Sequence, residues 1–216
     1  LPIHAPARRC FLTPIPQLST AADLLASAAD RLLEGDAPNA RQLVAEADMP
    51  VIGAYTALVT GAVNPLVHWQ SAMPAGAVGL ERSAQRMPSS SVERAIYVRD
   101  GWRCRYCGTR VIDRSMRARL HRCLPDVARW GARNADKHTA LAALSASLDH
   151  IVPHSRGGTN DEPNLVTACN ACQFGRGQWT LDEVGFWDPR EYPPVLDEWD
   201  GLTRLGRLAD AFNIPQ

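Results

Sequence analysis

Seven residues of this sequence have the types and spacing of a zinc-stabilised hydrolytic site. They are Cys104, Cys107, Asp149, His150, Asn164, Cys169 and Cys172. Four thiolates satisfy the tetrahedral preference of zinc and leave no position open for substrate, so the two Cys-x-x-Cys pairs predict a structural zinc site. The Asp-His pair between them offers a carboxylate for a hard cation and an imidazole that accepts a proton near neutral pH.

The cysteine count favours metal binding over a disulfide framework. Four of the six cysteines form the two Cys-x-x-Cys pairs, and Cys10 and Cys123 are left over. We interpret these two as free thiols, because cysteine commonly acts as a small hydrophobic residue. A redox protein that uses the Cys pairs is the alternative, and it would bind no stoichiometric zinc.

Opposite charges concentrate in different parts of the chain, although the formal net charge is zero. Residues 94–133 contain eleven Arg and three acidic residues, whereas residues 182–210 contain eight acidic residues and three Arg. We therefore expect a polyanion to dock on the basic block.

The pattern of apolar residues predicts a mostly helical chain. Thr20 is predicted to begin a first helix that Gly35 ends, and a second helix should run from about Asn39 to Ala47, before Pro50. The segment Val51–Val59 fits either a helix or a strand. Further helices are predicted at 92–99, between Leu120 and Trp130 with a break at Pro125, and at 139–147.

Around the Asp-His pair the pattern changes to strand, loop, strand and helix. Strands are predicted at 148–152 and 164–168, joined by a loop that turns at Gly157-Gly158. A helix should then run from Asn170 to about Gln178. This order brings Asp149, His150, Asn164 and the start of the helix together.

The run from Val92 to Gln178 resembles the HNH nucleases, whose core is the ββα-metal fold. The motifs that match in order and spacing are Cys104-x-x-Cys107, Asp149-His150-Ile151-Val152-Pro153, Gly157-Gly158, Asn164-Leu165 and Cys169-x-x-Cys172. The resemblance implies an α+β, mostly helical protein with a zinc-stapled, treble-clef-like ββα-metal core.

Composition, apolar spacing and the resemblance together predict a domain organisation. Residues 1–70 would form a helical N-terminal region and 71–91 a linker. The nuclease core would span 92–180, with a helical insertion at about 113–147, and an acidic C-terminal extension at 181–216 would pack on it.

The resemblance assigns a role to each site residue. His150 would be the general base, Asp149 would bind a catalytic Mg²⁺ or Mn²⁺, with Ni²⁺ as an alternative, and Asn164 would hold the loop and orient His150. Gln173 stands where the family usually has Asn or His, and we expect it to complete the metal site. Asn170 and His154 are the alternatives for that position.

Four basic residues are candidates for phosphate contacts, namely Arg103, Arg105, His154 and Arg156. The expected partner is DNA, with RNA kept as an alternative substrate, and a homodimer is left open. The first residues have no basic start followed by an apolar stretch, and no apolar run has the length of a membrane span. We therefore expect a cytoplasmic protein with no membrane partner.

These features predict a metal-dependent endonuclease that hydrolyses phosphodiester bonds in DNA. The alternative is a non-catalytic, zinc-stabilised nucleic-acid-binding module with a degenerate site, and Gln173 is the residue that favours it.

Overall fold

The structure, a computed structural model, describes residues 9–10, 12–60 and 86–208. Most of the predicted linker at 71–91 therefore lies outside the described residues, as do the two ends of the chain. The helices are α1 (Pro16–Leu33), α2 (Ala37–Ala47), α3 (Pro50–Thr60), α4 (Ser90–Arg99), α5 (Arg114–Cys123), α6 (Thr139–Ala143), α7 (Asn170–Arg176) and α8 (Leu181–Val184), and the strands are β1 (Ser147–His150) and β2 (Leu165–Ala168). The predicted α+β, mostly helical class is confirmed.

The N-terminal helices pack as an antiparallel hairpin followed by a third helix. The buried stripe of α1 is Leu18, Ala21, Ala22, Leu25, Ala28, Ala29 and Leu32, and α2 covers it. Gly35, with φ of 81°, makes the turn between them, and the Asp36 side chain caps α2 at the backbone N of Asn39.

Proline position explains three differences from the predicted helix boundaries. The first helix begins at Pro16 rather than Thr20, and the third begins at Pro50, because the fixed φ of proline suits the first turn of a helix. The segment 51–59, open between helix and strand, is helical. In the insertion, α5 ends at Cys123, two residues before Pro125.

The insertion is anchored to the N-terminal helices by buried polar contacts. Asp48, just after α2, accepts hydrogen bonds from the backbone N and the hydroxyl of Thr139 at 2.7 and 2.8 Å. His138 is fully buried, its Nε2 lies 2.8 Å from the carbonyl of Val44, and its Nδ1 accepts from the backbone N of Leu141. Burial lowers the pKa of His138, so the neutral ring that this pairing requires is favoured.

The segment with both strands is a two-stranded antiparallel sheet followed by α7. Ser147 pairs with Ala168 and His150 with Leu165, so both strands are shorter than their predicted ranges. All eight strand residues are buried, because α4 and α7 pack on the sheet. The polar members of β1 are therefore held inside the protein rather than on its surface.

The described part of the C-terminal extension lies against the core and against α1. The Trp199 indole donates to the carbonyl of Val111 at 2.9 Å, and Arg204 forms an ion pair with Asp30 of α1 at 2.7 Å. A Cβ at Gly201 would lie 2.5 Å from the Trp102 ring, so only glycine permits this approach. Among the described residues no single helix is long and apolar enough to cross a membrane, although the bent pair α2 and α3 together meets that standard of length and composition.

The contact between Asp48 and Thr139 gives a first testable prediction. Asp48→Ala should lower the free energy of unfolding by about 1–3 kcal/mol, because it leaves half-buried donors of the insertion without an acceptor. Denaturant unfolding followed by circular dichroism measures the change. Glu46→Ala, which removes an exposed carboxylate of α2 that accepts a hydrogen bond from Gln42, should stay within about 0.5 kcal/mol of wild type. Equal stability of the two variants would contradict the anchoring role.

Candidate active site and zinc centre

The four motif cysteines converge on one point. The Sγ atoms of Cys104, Cys107, Cys169 and Cys172 all lie within 4.8 Å of one another. The sulfur atoms of Cys107 and Cys169 are 3.6 Å apart, and a tetrahedron with zinc–sulfur bonds of about 2.3 Å requires about 3.8 Å. The donor set and its spacing fit a zinc ion, and the four sulfurs would close its coordination shell. The predicted structural zinc site is supported.

Local backbone geometry places the two cysteine pairs. Gly108, with φ of 77°, closes the turn of the first pair, and the Arg105 backbone N donates to the carbonyl of Thr167 on β2 at 2.9 Å. Cys169 is the residue before α7, and Cys172 lies in its first turn. Strand β2 thus connects the two halves of the cluster.

The crowded thiols influence one another's ionisation. Hydrogen bonds with Cys104 and the other two thiols lower the pKa of Cys107. Hydrogen bonds with Cys104 and Cys107, and burial, raise the pKa values of Cys169 and Cys172. The first thiol of the cluster therefore ionises readily, and ionisation of the others is unfavourable. A bound cation would favour ionisation of all four thiols.

His150 lies at the end of β1 with one ring nitrogen already engaged. Its residue exposure is 7%, and its Nε2 lies 2.8 Å from the side-chain oxygen of Asn160 in the following loop. Because an amide oxygen only accepts, this contact puts the proton on Nε2 and leaves Nδ1 as the basic nitrogen. The ring of His154 lies edge-on to His150, with 6.2 Å between centroids.

Asn164 holds the loop that follows His150. Its Oδ1 accepts from the backbone N of Val152 at 2.8 Å, and its Nδ2 donates to the carbonyls of Val152 and Thr159. Gly158 lies so close to the Val152 carbonyl that a Cβ would be 1.7 Å from the oxygen. The side chain predicted to orient His150 thus fixes the loop, and Asn160 makes the contact to the ring itself.

Asp149 is paired with a buried arginine of α7. Arg176 has no exposed surface, and its Nε and Nη2 donate to the two carboxylate oxygens at 3.1 and 2.7 Å. The Tyr106 hydroxyl donates to the same carboxylate at 2.9 Å. The remaining N–H groups of Arg176 bond to the carbonyls of His150, Ile151 and Trp179, so all five donors are satisfied.

Ionisation in this cluster stabilises the same arrangement. Burial acts to lower the pKa of Arg176, but the oxygens of Tyr106 and Asp149 outweigh it and raise that pKa. Burial, and then the neighbouring Asp149, raises the pKa of Tyr106, which therefore stays a donor. Arg176 remains a cation that holds both Asp149 and the backbone of His150.

The residues expected to bind a catalytic divalent ion do not form an open site. Both oxygens of Asp149 accept from Arg176, whose charge already neutralises the carboxylate. The Gln173 carbonyl accepts from the Ser147 hydroxyl, and its amide donates to the Leu148 carbonyl at 3.1 Å. Asp149 and Gln173 therefore bind different protein groups, and this arrangement does not fit a shared cation. The alternative ligand Asn170 donates its amide to the carbonyl of Ala142.

The predicted phosphate contacts are already engaged with the protein. Arg103 forms an ion pair with Asp197, and Arg105 donates to the carbonyls of Pro189 and Tyr192, so both hold the C-terminal extension. Arg156 pairs with Glu183, although its Nε is buried with no partner in the described part of the chain.

Much of the basic block is used in the same way. Ion pairs join Arg110 to Asp23, Arg129 to Asp48, Arg94 to Asp113 and Arg133 to Asp136. Folding thus partly neutralises the charge that is segregated along the sequence. The basic block therefore does not form one continuous surface for binding a polyanion.

Sequence reasoning missed three residues of this site, namely Tyr106, Asn160 and Arg176. Arg176 had a detectable signal, because it follows Gln173 by three positions and so shares its helix face. Tyr106 lies within the first Cys pair, but nothing in the spacing pointed it at Asp149. Asn160 lies in the loop, where sequence gives no direction to a side chain.

Comparison with known proteins gives one match. The family model for HNH endonuclease matches residues 136–173, which include β1, the loop, β2 and the second cysteine pair. No curated protein and no solved structure matches the chain.

The cysteine cluster gives a prediction that distinguishes zinc ligands from free thiols. Cys172→Ser should lose stoichiometric zinc and melt at a lower temperature, because a structural zinc contributes directly to folding. Elemental analysis of the purified protein and a thermal melt measure both effects. Cys123→Ser removes a half-buried thiol outside the cluster and should keep its zinc. Full zinc occupancy in Cys172→Ser would contradict the four-cysteine site.

The buried ion pair gives a second prediction. Arg176→Met should destabilise the protein by about 3–5 kcal/mol, because it leaves the Asp149 carboxylate buried without its counter-charge. Adding Asp149→Asn to that variant should recover part of the loss, which denaturant unfolding measures. Arg190→Met, which removes an exposed ion pair, should change stability by less than about 1 kcal/mol. A double variant no more stable than Arg176→Met would show that the loss does not arise from the stranded charge.

Proposed function

Because residues 136–173 match the HNH endonuclease family, we propose that this nuclease-type protein is a metal-dependent endonuclease that hydrolyses phosphodiester bonds in DNA, with His150 as its general base. The observation that carries the proposal is the environment of His150. Asn160 holds its Nε2–H, Arg176 holds its backbone carbonyl, and Nδ1 is left to accept a proton. RNA remains an alternative substrate.

The proposed step is hydrolysis by an activated water. Nδ1 of His150 takes a proton from water as its oxygen attacks the phosphorus, and the bond to the leaving sugar oxygen breaks. Asn160 plays the part of the third group in a catalytic triad, since it fixes the tautomer and the ring orientation. Asn164 keeps the loop that carries Asn160 in place. Arg156 and His154, on the same loop, are candidates to contact the phosphate.

A divalent ion, Mg²⁺ or Mn²⁺ with Ni²⁺ as the alternative, is part of the proposal through the family resemblance. Bound at Asp149, it would supply a Lewis acid for the charge that builds on the phosphate. Its binding would require Asp149 to exchange Arg176 for the metal. The structural zinc would stabilise the scaffold and take no part in the reaction.

The test is plasmid nicking with Mg²⁺, Mn²⁺, Ni²⁺ or chelator. His150→Ala should reduce the nicking rate at least about 100-fold, the usual contribution of a general base, while it retains zinc. His121→Gln is the matched control, because in the described part of the chain the His121 ring, in the last turn of α5, has its hydrogen bond with the Ala128 carbonyl, away from His150. The nicking rate of this variant should equal that of wild type. Undiminished nicking by a folded, zinc-loaded His150→Ala protein would refute the base assignment.

A non-catalytic nucleic-acid-binding module is the second candidate function. The observation that favours it is the engagement of Asp149 and Gln173 with Arg176, Ser147 and Leu148. In the same assay this candidate predicts that zinc-loaded wild type binds DNA without nicking it under any of the three metals.

A further inference from the structure

A cationic pocket lies at the other end of β1 from His150. It is a cavity of about 750 Å³ between α3, α5, the segment 129–137 and α7. Four cations line it, namely Arg114, Arg117, Arg129 and Lys137, and its described lining includes no Asp or Glu. This volume falls within the range of small-molecule binding sites.

Arg117 is the most strongly positioned of these cations. Its guanidinium lies 3.7 Å from the centroid of the Trp130 ring, and its Nη1 donates to the Ser145 hydroxyl at 3.0 Å. Its Nε is buried with no hydrogen-bond partner in the described part of the chain. Stacking on an aromatic ring holds a guanidinium in one plane without neutralising it.

The positive charge of the pocket is only partly balanced by the protein. Arg129 pairs with Asp48, and Arg114 lies 3.8 Å from Glu93. In the part of the chain that the structure describes, neither Arg117 nor Lys137 forms an ion pair, and Lys137 bonds only to the Asn134 amide oxygen at 3.1 Å. Burial, and then the adjacent charge of Arg114, lowers the pKa of Arg117. An anionic ligand would supply the opposite charge that favours the protonated form of Arg117.

Part of the pocket wall is apolar. Ala57 and Val59 of α3 and the ring of Phe174, which is 49% exposed, contribute to it. A phosphate alone would need no such wall, whereas a nucleotide carries a charged phosphate and a flat base with apolar faces.

The pocket also lies within reach of a strand bound at His150. Ala146 lines the pocket and His150 ends β1, so the two are about 13 Å apart along the extended chain. In a duplex, the phosphates of one strand advance about 3.4 Å each along the helix axis, so this distance spans only a few nucleotides.

We propose that this cationic pocket holds one unpaired nucleotide of the nucleic-acid strand, with its phosphate at Arg117 and its base against the apolar wall. The proposal rests on the nucleic-acid substrate proposed above. The nucleotide must be unpaired, because a base inside a duplex stack cannot enter a cavity unless it leaves the stack. The pocket would therefore favour substrates with a single-stranded segment.

The experiment is fluorescence anisotropy with a labelled single-stranded oligonucleotide and with its duplex. The full-length, zinc-loaded protein is used without added divalent ions, so that binding is measured apart from cleavage. Arg117→Met should weaken single-strand binding about tenfold, the scale of one charge-assisted hydrogen bond. Arg122→Met, which removes an equal charge from an exposed position on the same helix, should weaken it less than about threefold.

A second pair of variants tests the pocket from the side of α3 without altering Arg117. Ala57→Glu places an anion at an exposed lining position of α3 and should weaken single-strand binding about tenfold by repelling the phosphate. Leu58→Glu, at the adjacent exposed position outside the pocket lining, is the control and should bind within about threefold of wild type.

The outcomes separate the pocket from the nuclease function. The pocket proposal is wrong if Arg117→Met and Arg122→Met weaken single-strand binding equally and the two α3 variants bind equally well. This conclusion would hold even if the protein nicks DNA. Selective weakening supports the pocket proposal even if no nicking is found. If Arg117→Met weakens duplex binding as much as single-strand binding, the bound nucleotide need not be unpaired, and that part of the proposal is wrong. If an equal concentration of deoxyadenosine monophosphate displaces the oligonucleotide, the pocket binds a free nucleotide rather than a nucleotide of a strand, which contradicts the proposal.

Discussion

The four-cysteine cluster is the constraint on which the rest of the core depends. A two-stranded sheet of four-residue strands is too small to be stable alone, and its two cysteine pairs are far apart in sequence. Zinc at Cys104, Cys107, Cys169 and Cys172 would connect the turn after α4 to the start of α7, with β2 between them. The metal site therefore holds β2, and β1 paired with it, in place relative to both cysteine pairs.

The second organising interaction is the buried pair of Asp149 and Arg176. A fully buried guanidinium is tolerated only when its donors are satisfied, and here two carboxylate oxygens and three carbonyls satisfy them. The pair also fixes the backbone at His150, the proposed general base, through the bond from Arg176 to its carbonyl. It also places a protein cation where the family resemblance expects a metal. A divalent ion could bind Asp149 only if it displaced Arg176 from the carboxylate.

Folding redistributes the charge that the sequence separates. The basic block and the acidic extension meet in ion pairs such as Arg103 with Asp197, and α1 and α2 supply further carboxylates at Asp23 and Asp48. Each of these pairs contributes little stability where it is exposed. Together they partly neutralise the positive surface on which a polyanion could dock. What remains concentrated is the cationic pocket around Arg117, so the nucleic-acid recognition proposed for it would be local to one cavity.

The sequence by itself determined the elements and the chemistry of the motif. Periodicity located α1, α2 and the strand–loop–strand–helix order to within a few residues, and thiol spacing predicted the zinc site, because ligand spacing and apolar faces are local properties of a chain. The partners of individual side chains were decided only by the tertiary structure. Asp149 meets Arg176, His150 meets Asn160 and Gln173 meets Ser147 because β1, its loop and α7 pack together. Such pairings depend on which faces of separate elements meet, and no local pattern in the sequence encodes that.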